Sequence, residues 1–408
     1  MVKPSSSLKR VFSLYLAQIL NLLLGWIITK LNISYLTVSE FGQFNFFITV
    51  INSTFIFFTF GTFEATSRLL AITDEKKSAQ QILSASLLFV LLIYAVFSVC
   101  FYFFNPVIES FFSVNIFLLV EMFFPLAGAY LLYDYWQKIL RGTGKIYALS
   151  WFLVLPRLVY LLSLLMLAYL DKFTLQYSTL CNLISMLLIF FIYLGREKLD
   201  FGHIRQSVNH LFKEVRSFGF QMYWAELIHA VLYQLDKLFI GFFLDAERLA
   251  YFSLAFTLSL PLSLFSTALS TSLYRNFSKS DRIDRSVLII NLFWVLFSML
   301  VLILAGPWLI EHLFSSQYGP SSRVLVPLAV AFGISGQSKT FTYYLIVKGE
   351  GKMIRNASVI LLFISLTINM ILIPIYGIMG AAVSRIITFL VDFFLILRIY
   401  IKHQNHNF

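Results

Sequence analysis

Acidic, basic and imidazole side chains share one face of an apolar segment near the middle of the chain. Glu226, His229 and Asp236 follow one another at spacings of three and seven residues, which places them on the same side of a helix. A buried carboxylate can bind a proton or a sodium ion, and an imidazole titrates near neutral pH. Glu226, His229, Asp236 and the adjacent Lys237 are therefore candidates for ion coupling. The alternative is a Glu226–His229 pair or an Asp236–Lys237 anchor that only fixes helix packing.

Cations also lie inside apolar segments, where an unpaired charge costs several kcal/mol. Arg385 lies well inside its segment and Lys339 lies near the middle of its own. Arg157 lies about two turns from the cytoplasmic end of its segment, and contact with the inner headgroups is its alternative role. Arg and Lys donate hydrogen bonds to phosphate oxygens, so these residues suit an anionic substrate such as a phosphate or an acidic sugar. Internal neutralisation is the competing explanation, because the same segments contain acidic residues: Glu121, Asp134, Glu226, Asp236 and Asp392.

Further polar residues are candidates for lining the same cavity. Gln18 and Asn21 lie on one helical face of the first apolar segment, and Asp392 shares a face with Arg385 seven residues earlier. Glu121 lies within the fourth segment. Packing against a neighbouring helix is the alternative role for each of them.

Two glycine-rich turns, residues 141–145 and 348–352, do not predict a nucleotide site, because neither has the spacing of a phosphate-binding loop. Their glycines permit positive φ where one helix turns back into the next. Cys100 and Cys181 lie in apolar runs, so we expect no disulfide and no metal site. No cofactor is predicted, and any pumping must draw on an ion gradient, the membrane potential or the substrate's own gradient.

The composition is that of a membrane protein. Of the 408 residues, 59% are apolar and 12% are charged, and the mean hydropathy is +0.82. Soluble domains contain about a quarter charged residues, which excludes an ordinary soluble enzyme. Runs long enough to cross a bilayer predict twelve helices. These runs lie near residues 11–30, 41–60, 81–103, 116–135, 149–170, 174–194, 217–243, 249–272, 287–305, 324–347, 356–376 and 378–398.

The positions of the cations predict the orientation. The chain has 31 Lys and Arg against 20 Asp and Glu. If the N-terminus is cytoplasmic, most of the loop cations are cytoplasmic, and the outer loops receive Lys30, Lys172, Arg248 and Arg323. The positive-inside rule then predicts that both termini are cytoplasmic and that the number of spans is even. The basic excess reflects this loop placement, so no nucleic-acid partner is expected.

Polar positions repeat at an offset of 207 residues. Glu40 corresponds to Glu247, and residues 141–145 correspond to residues 348–352. The offset indicates duplication of a six-helix half. Because six is even, both copies start at the same membrane face. The halves are therefore predicted to be parallel repeats, as in secondary transporters that alternate access by rocking.

These observations predict an all-α membrane protein of twelve transmembrane helices in two parallel six-helix lobes, with a secondary-transporter architecture. The N-terminal lobe covers residues 1–195, a cytoplasmic amphipathic linker covers 196–216, and the C-terminal lobe covers 217–408. One interpretation places Leu211, Phe212 and Val215 of the linker on the membrane, while Arg205, Lys213 and Arg216 meet anionic headgroups. The other is a solvated linker helix.

Five ordered segments resemble polysaccharide exporters of the multidrug/oligosaccharidyl-lipid/polysaccharide exporter superfamily. They are Leu36-Thr37-Val38-Ser39-Glu40-Phe41-Gly42, Arg141-Gly142-Thr143-Gly144-Lys145, Asp236-Lys237 with Ile240-Gly241, Pro307-Trp308-Leu309-Ile310 through Tyr318, and Asn369 and Pro374 with Tyr376-Gly377-Ile378 and Gly380-Ala381-Ala382. The set covers nearly the whole chain in the family's order. One departure is Leu249-Ala250, where the family usually has a glycine.

The resemblance implies a MATE-like fold and a flippase in the bacterial inner membrane. Its substrate would be an undecaprenyl-diphosphate-linked oligosaccharide repeat unit for O-antigen, lipopolysaccharide or similar polysaccharide biosynthesis. In such proteins interior cations are expected to meet the diphosphate or acidic sugars, which extends to Arg157, Lys339 and Arg385. Membrane lipid, a polysaccharide polymerase and a chain-length regulator are the implied partners.

Two other classes of function stay open from the sequence. A cation-coupled multidrug efflux transporter would share the architecture but would favour an acidic cavity, whereas interior cations and anions are nearly balanced here. An integral-membrane polysaccharide polymerase or glycosyltransferase would need a sizeable loop or domain for its catalytic residues. The loops are short, so we expect that the protein is not an enzyme. Related lipid II flippases carry more helices than the twelve predicted here.

Overall fold

The computed structural model describes residues 4–73, 75–273, 277, 280–348 and 350–406. Within the helices, some side chains lie outside this description: those of residues 4–12, 15, 221, 222, 225, 226, 229, 230, 268, 271, 272, 347, 351, 405 and 406. The chain divides into two compact units. The first comprises Met1–Leu36 and Phe47–Ala230, and the second comprises Thr37–Phe46 and Val231–Phe408.

The helices that begin before residue 215 are numbered in chain order. Their bounds are α1 Pro4–Tyr35, α2 Val38–Thr54, α3 Ile56–Thr59, α4 Thr62–Ile72, α5 Lys76–Phe103, α6 Asn105–Phe111, α7 Phe117–Ala127, α8 Ala129–Gly142, α9 Ile146–Tyr169, α10 Leu175–Leu194 and α11 Ile204–Glu214. All but the first part of α2 belong to the first unit.

The later helices belong mainly to the second unit. Their bounds are α12 Phe220–Phe243, α13 Ala246–Ser259, α14 Pro261–Ser272, α15 Arg285–Leu309, α16 Gly319–Val347 and α17 Gly351–His406. A π-helical turn, Val215–Gly219, precedes α12, and a second one, Ile310–Phe314, follows α15.

Each of the twelve predicted apolar runs lies on helix. Among the described residues, 10 helical segments are long and apolar enough to cross a membrane. The last of these, Lys352–Gln404, contains two predicted runs, and α12 carries the seventh run. The all-α prediction is therefore confirmed, and the apolar faces of these helices explain it, since a helix satisfies its own backbone hydrogen bonds inside lipid.

A sharp kink at Gly377 divides α17 into two parts. Gly377 has φ 61° and ψ −140°, a conformation that is strained for residues with a Cβ atom. Just beyond it, a Cβ atom on Gly380 would overlap the carbonyl of Leu372. The break between the predicted runs 356–376 and 378–398 is therefore present. Glycine is required both for the backbone angles of this turn and for the close approach of its two arms.

The starts of α2 and α13 are capped by polar side chains. At the start of α2, the Thr37 hydroxyl accepts a hydrogen bond from the Glu40 N–H at 3.2 Å, and the Glu40 carboxylate accepts one from the Thr37 N–H at 2.9 Å. At the start of α13, the Asp245 carboxylate accepts from the Arg248 N–H at 2.8 Å. Such caps satisfy backbone donors that the helix leaves free, and they fix where each of these two helices begins.

The linker helix α11 packs against α4 and α5 within the first unit. The Gln81 amide donates to Asp200 at 3.0 Å, and Arg68 forms an ion pair with Glu214 at 2.5 Å. Leu211 is 1% exposed, whereas Phe212 is 60% exposed. The interpretation that placed both side chains on the membrane is therefore wrong for Leu211, because the apolar face of α11 packs against α4 and α5.

Docking of the linker depends on the charge of Asp200. The Gly202 backbone N–H and the Gln81 amide hold the pKa of this carboxyl below its usual range. Its contribution is therefore present above the ordinary Asp pKa of about 3.9 and is lost as the pH falls through the lowered value. We expect Asp200→Asn to speed tryptic cleavage of the linker several-fold at pH 7, relative to Glu109→Gln, a change at an exposed carboxylate. Equal cleavage rates would contradict this account of docking.

The turn between α8 and α9 needs two glycines for different reasons. Gly144 has φ +66° and open space around it. Gly142 is helical, and a Cβ atom there would overlap the backbone of Ser67 on α4. Positive φ, which the sequence suggested for the glycines of this turn, therefore applies to Gly144, while Gly142 permits close helix packing. Gly349, which corresponds to Gly142 at the predicted offset of 207 residues, lies outside the described residues.

Alanine substitutions should separate these two roles. We expect Gly142→Ala to lower the free energy of unfolding by about 1–3 kcal/mol through overlap with the backbone. Gly144→Ala should cost about 1–2 kcal/mol through the left-handed conformation. Gly319→Ala is the control, since its φ is −47° and its surroundings are open. Thermal unfolding of the purified variants in detergent measures the effect, and a Gly142 variant as stable as the control would refute the packing role.

Candidate functional site

A buried ion pair lies inside the second unit. Arg385 Nε donates to Asp236 Oδ2 at 2.6 Å, and the two side chains are 5% and 2% exposed. The Asn369 amide donates to the other carboxylate oxygen at 3.2 Å. Asp236 lies on α12, whereas Asn369 and Arg385 lie on the two arms of α17 before and after its kink. The structure thus brings together two candidate residues that the sequence placed on separate helices.

The rest of the Arg385 guanidinium is also occupied. Its Nη1 and Nη2 atoms donate to the backbone carbonyls of Leu232 and Tyr233 at 3.4 and 3.1 Å. The rings of Phe256 and Phe389 each lie with their centroids 5.4 Å from the guanidinium carbon. Removing one partner of such a buried pair costs about 3–5 kcal/mol, because the other charge is left without compensation. A ligand that meets Arg385 must therefore replace these contacts.

A second cation adjoins the pair. Lys237 Nζ lies 5.1 Å from the centroid of Phe256, the same ring that contacts Arg385. Lys237 has no carboxylate within 4.0 Å in the described part of the chain. Two cations and the single carboxylate of Asp236 leave a net positive charge, which favours an anion at this place.

Lys339 lies in a polar stretch of α16. It is half-buried, and no carboxylate of a described residue is within ion-pairing distance. The next residue towards the N-terminus, Ser338, donates to the candidate residue Asp392 at 2.5 Å, and Gln337 accepts from Asn291 at 3.2 Å. Polar contacts therefore hold this stretch of α16 against α15 and α17. The Lys339 ammonium takes part in none of the described ion pairs.

In the first unit, Arg157 reaches across to α1. Its Nη1 atom donates to the backbone carbonyl of Asn21, and a Cβ atom on Gly25 would overlap the guanidinium, so the glycine makes room for it. The Asn21 side-chain oxygen is buried with no partner among the described atoms. Gln18 lies about one turn earlier on α1 and is exposed. The structure therefore groups three of the candidates: Arg157, Asn21 and Gln18.

Tyrosines and an amide extend this group, and the sequence did not single them out. Tyr130 and Tyr133 lie within electrostatic range of Arg157. The Tyr130 hydroxyl donates to the Asn182 side chain at 2.7 Å. Hydroxyls, amides and a guanidinium are the groups that recognise sugar hydroxyls and acidic sugars. The i, i+3 spacing of the two tyrosines was the available signal for a shared face.

A second buried charge cluster was also missed. Lys138 Nζ lies 2.7 Å from Glu64 and 3.7 Å from Asp134, and the Lys138 side chain is 9% exposed. Lys138 was not among the candidate residues, yet its stem and ammonium are buried between α4 and α8. The i, i+4 spacing of Asp134 and Lys138 was the signal for one of these pairs.

The remaining candidates lie apart or outside the description. Glu121 is exposed on α7, next to the exposed side chain of Met122. The side chains of Glu226 and His229 lie outside the described residues. In the described ranges, no group of three or more His, Cys, Asp or Glu residues is arranged to hold a metal ion.

Comparisons with solved structures identify the fold. A structure titled lipid II flippase MurJ, inward closed conformation, is 18% identical with a TM-score of 0.75, over 94% of this chain and 86% of that chain. An inward-facing multidrug resistance MATE family transporter of the MOP superfamily is 15% identical with a TM-score of 0.74, over 94% and 96%. A MOP superfamily transporter from Pyrococcus furiosus is 13% identical with a TM-score of 0.64, over 97% and 96%. At these identities the likeness concerns the fold, and it confirms the predicted MATE-like architecture.

The comparison with family models covers most of the chain. The model described as polysaccharide biosynthesis protein matches residues 7–281, about two thirds of the 408 residues. No curated protein matches the chain. The match includes three of the five segments on which the resemblance rested, those at residues 36–42, 141–145 and 236–241. The chain is therefore a multi-pass membrane protein that belongs to the polysaccharide biosynthesis protein family and has the fold of the MOP superfamily transporters.

Proposed function

We propose that this protein is a flippase for undecaprenyl-diphosphate-linked oligosaccharide repeat units. The proposed location is the bacterial inner membrane, with both termini in the cytoplasm, and the proposed pathway is that of O-antigen or a similar polysaccharide. Family membership supports a role in polysaccharide biosynthesis. The observation that carries the proposal is the net positive cluster of Lys237, Arg385 and Asp236 inside a membrane unit.

A flippase has to replace the water that a diphosphate and a glycan lose in the hydrocarbon layer. Lys237 and Lys339 lie outside the described ion pairs and are the proposed first contacts of the diphosphate. Arg385 is held by Asp236, so its contact with phosphate requires an exchange of anions: the diphosphate takes the guanidinium as the carboxylate leaves. Such an exchange links substrate binding to movement of α12 against α17.

The first unit is proposed to contact the glycan. Arg157, Asn21 and Gln18, with Tyr130 close by, offer charged and neutral donors on one side of that unit. Acidic sugars would meet the guanidinium, and neutral sugars would meet the hydroxyl and amide groups. The polyprenyl tail needs no polar partner and stays in lipid. A polysaccharide polymerase and a chain-length regulator are the proposed protein partners, and the protein itself is proposed to catalyse no reaction.

Multidrug efflux is the second candidate, and the likeness to a MATE transporter at a TM-score of 0.74 supports it. The two functions need opposite charges at the site, because cationic drugs require an acidic cavity and a diphosphate requires a basic one. Deletion of the gene should leave drug tolerance unchanged and should accumulate lipid-linked repeat units that face the cytoplasm. Loss of drug tolerance without this accumulation would reject the flippase in favour of efflux.

Neutralising the two lysines tests the first contacts of the diphosphate. We expect Lys237→Gln with Lys339→Gln to reduce polysaccharide display at least 10-fold, since each lost charged hydrogen bond costs about 1.5–3 kcal/mol. Surface polysaccharide at matched protein levels is the measurement. Lys172→Gln, which removes an exposed loop charge, is the control. Full display from the double variant would remove these lysines from the proposed pathway.

The ion pair can be tested apart from its structural role. We expect Asp236→Asn and Arg385→Gln each to lower the free energy of unfolding by about 3–5 kcal/mol, because each leaves one buried charge uncompensated. The double variant removes both charges and should recover most of that loss. If Arg385 meets the substrate, the recovered protein still fails to display polysaccharide. Normal display from a stable double variant would show that the pair only holds the helices together.

A further inference from the structure

A groove of about 890 Å³ opens in the first unit, outside the charged sites of the spans. The start of α5 and one side of α11 form its walls. This volume is within the range of small-molecule sites, about 300–1,000 Å³. The residues that carry its chemistry are His203, Arg205, His210, Lys213, Ser78 and Gln81.

The basic side chains of the groove are not neutralised by the acids around it. In the part of the chain that the structure describes, no carboxylate lies within 4.0 Å of Arg205 or Lys213. Glu214 pairs with Arg68, whereas Asp200 accepts from the neutral Gln81 amide and lies within electrostatic range of His203. Arg205 and Lys213 therefore keep their positive charges, which suit an anion.

Backbone donors add to this positive potential. Helices α5 and α11 both begin beside the groove, and Ser78 and Ile204 of their first turns line it. Neither helix start has a side-chain cap that accepts its free N–H groups. Free N–H groups and the positive end of a helix dipole favour phosphate and carboxylate groups.

Exposed aromatic side chains flank the groove. Phe201 is 49% exposed and Phe212 is 60% exposed, one before α11 and one on it. Basic residues beside exposed aromatic residues are typical of helices that lie in the headgroup region of a membrane. This combination indicates that the anion is carried by a lipid.

We propose that the groove binds the phosphate of an anionic phospholipid. Arg205 and Lys213 are the charged contacts, the free N–H groups at the start of α11 are neutral ones, and Phe201 and Phe212 enter the surrounding lipid. This site is separate from the proposed diphosphate site in the second unit. It does not depend on which substrate the protein moves.

Equilibrium binding to the purified full-length protein in neutral detergent tests the proposal. The probes are dioctanoyl phosphatidylglycerol, dioctanoyl phosphatidylcholine and inorganic phosphate. Phosphatidylglycerol should bind at least 10-fold more tightly than either of the others. Arg205→Gln with Lys213→Gln should weaken its binding at least 10-fold. Arg398→Gln with Lys402→Gln removes two exposed cations of the second unit and should leave binding unchanged.

Three results would overturn the proposal. Equal weakening by both double variants would attribute binding to the general positive charge of the protein. Equal affinity for phosphatidylcholine would remove the anionic specificity. Inorganic phosphate that binds as tightly as phosphatidylglycerol would make the groove a site for a soluble anion. All four substituted residues are exposed, so thermal unfolding at the wild-type temperature should confirm that the variants are folded.

Discussion

The second unit is arranged around one constraint, that a charge inside a membrane must have partners within the protein. Asp236 and Arg385 meet this need for each other, and Asn369, two backbone carbonyls and two aromatic rings complete the enclosure. The pair and Asn369 together join α12 to both arms of α17. The free-energy cost of removing both charges from water offsets much of their attraction. The pair therefore selects one arrangement of the helices more than it raises the stability of the protein as a whole.

The interior cations meet this constraint in different ways, and the difference separates support from proposed transport. Lys138 is held by two carboxylates, and Arg385 by one carboxylate and backbone carbonyls. Lys237 rests on an aromatic ring, and Lys339 lies outside the described ion pairs. A cation without a carboxylate partner gives a passing anion a contact that displaces nothing. For this reason Lys237 and Lys339, rather than Arg385, carry the proposed first recognition of phosphate.

The helices could be predicted from the sequence because long apolar runs have few alternatives in a membrane. The break between the predicted runs 356–376 and 378–398 could also be predicted, since the glycine at 377 acts locally. The partners of the buried charges could not be predicted from the sequence. Asp236 and Arg385 are 149 positions apart, and Glu64 and Lys138 are paired across two helices. Such pairs depend on which helices pack together, and neither composition nor spacing within one helix contains that information.

The kink at Gly377 has a mechanical consequence. Asn369 and Arg385 lie on opposite sides of the bend, and both donate hydrogen bonds to the carboxylate of Asp236. The bend angle of α17 therefore sets the distance between the Asn369 amide and the Arg385 guanidinium, the two groups that bind Asp236. If α17 straightens, at least one of these two hydrogen bonds to Asp236 breaks. If the carboxylate moves away, the bend loses the contacts that stabilise it. The bend of α17 and the ionised carboxylate of Asp236 on α12 are therefore coupled, because a change in either one disturbs the other.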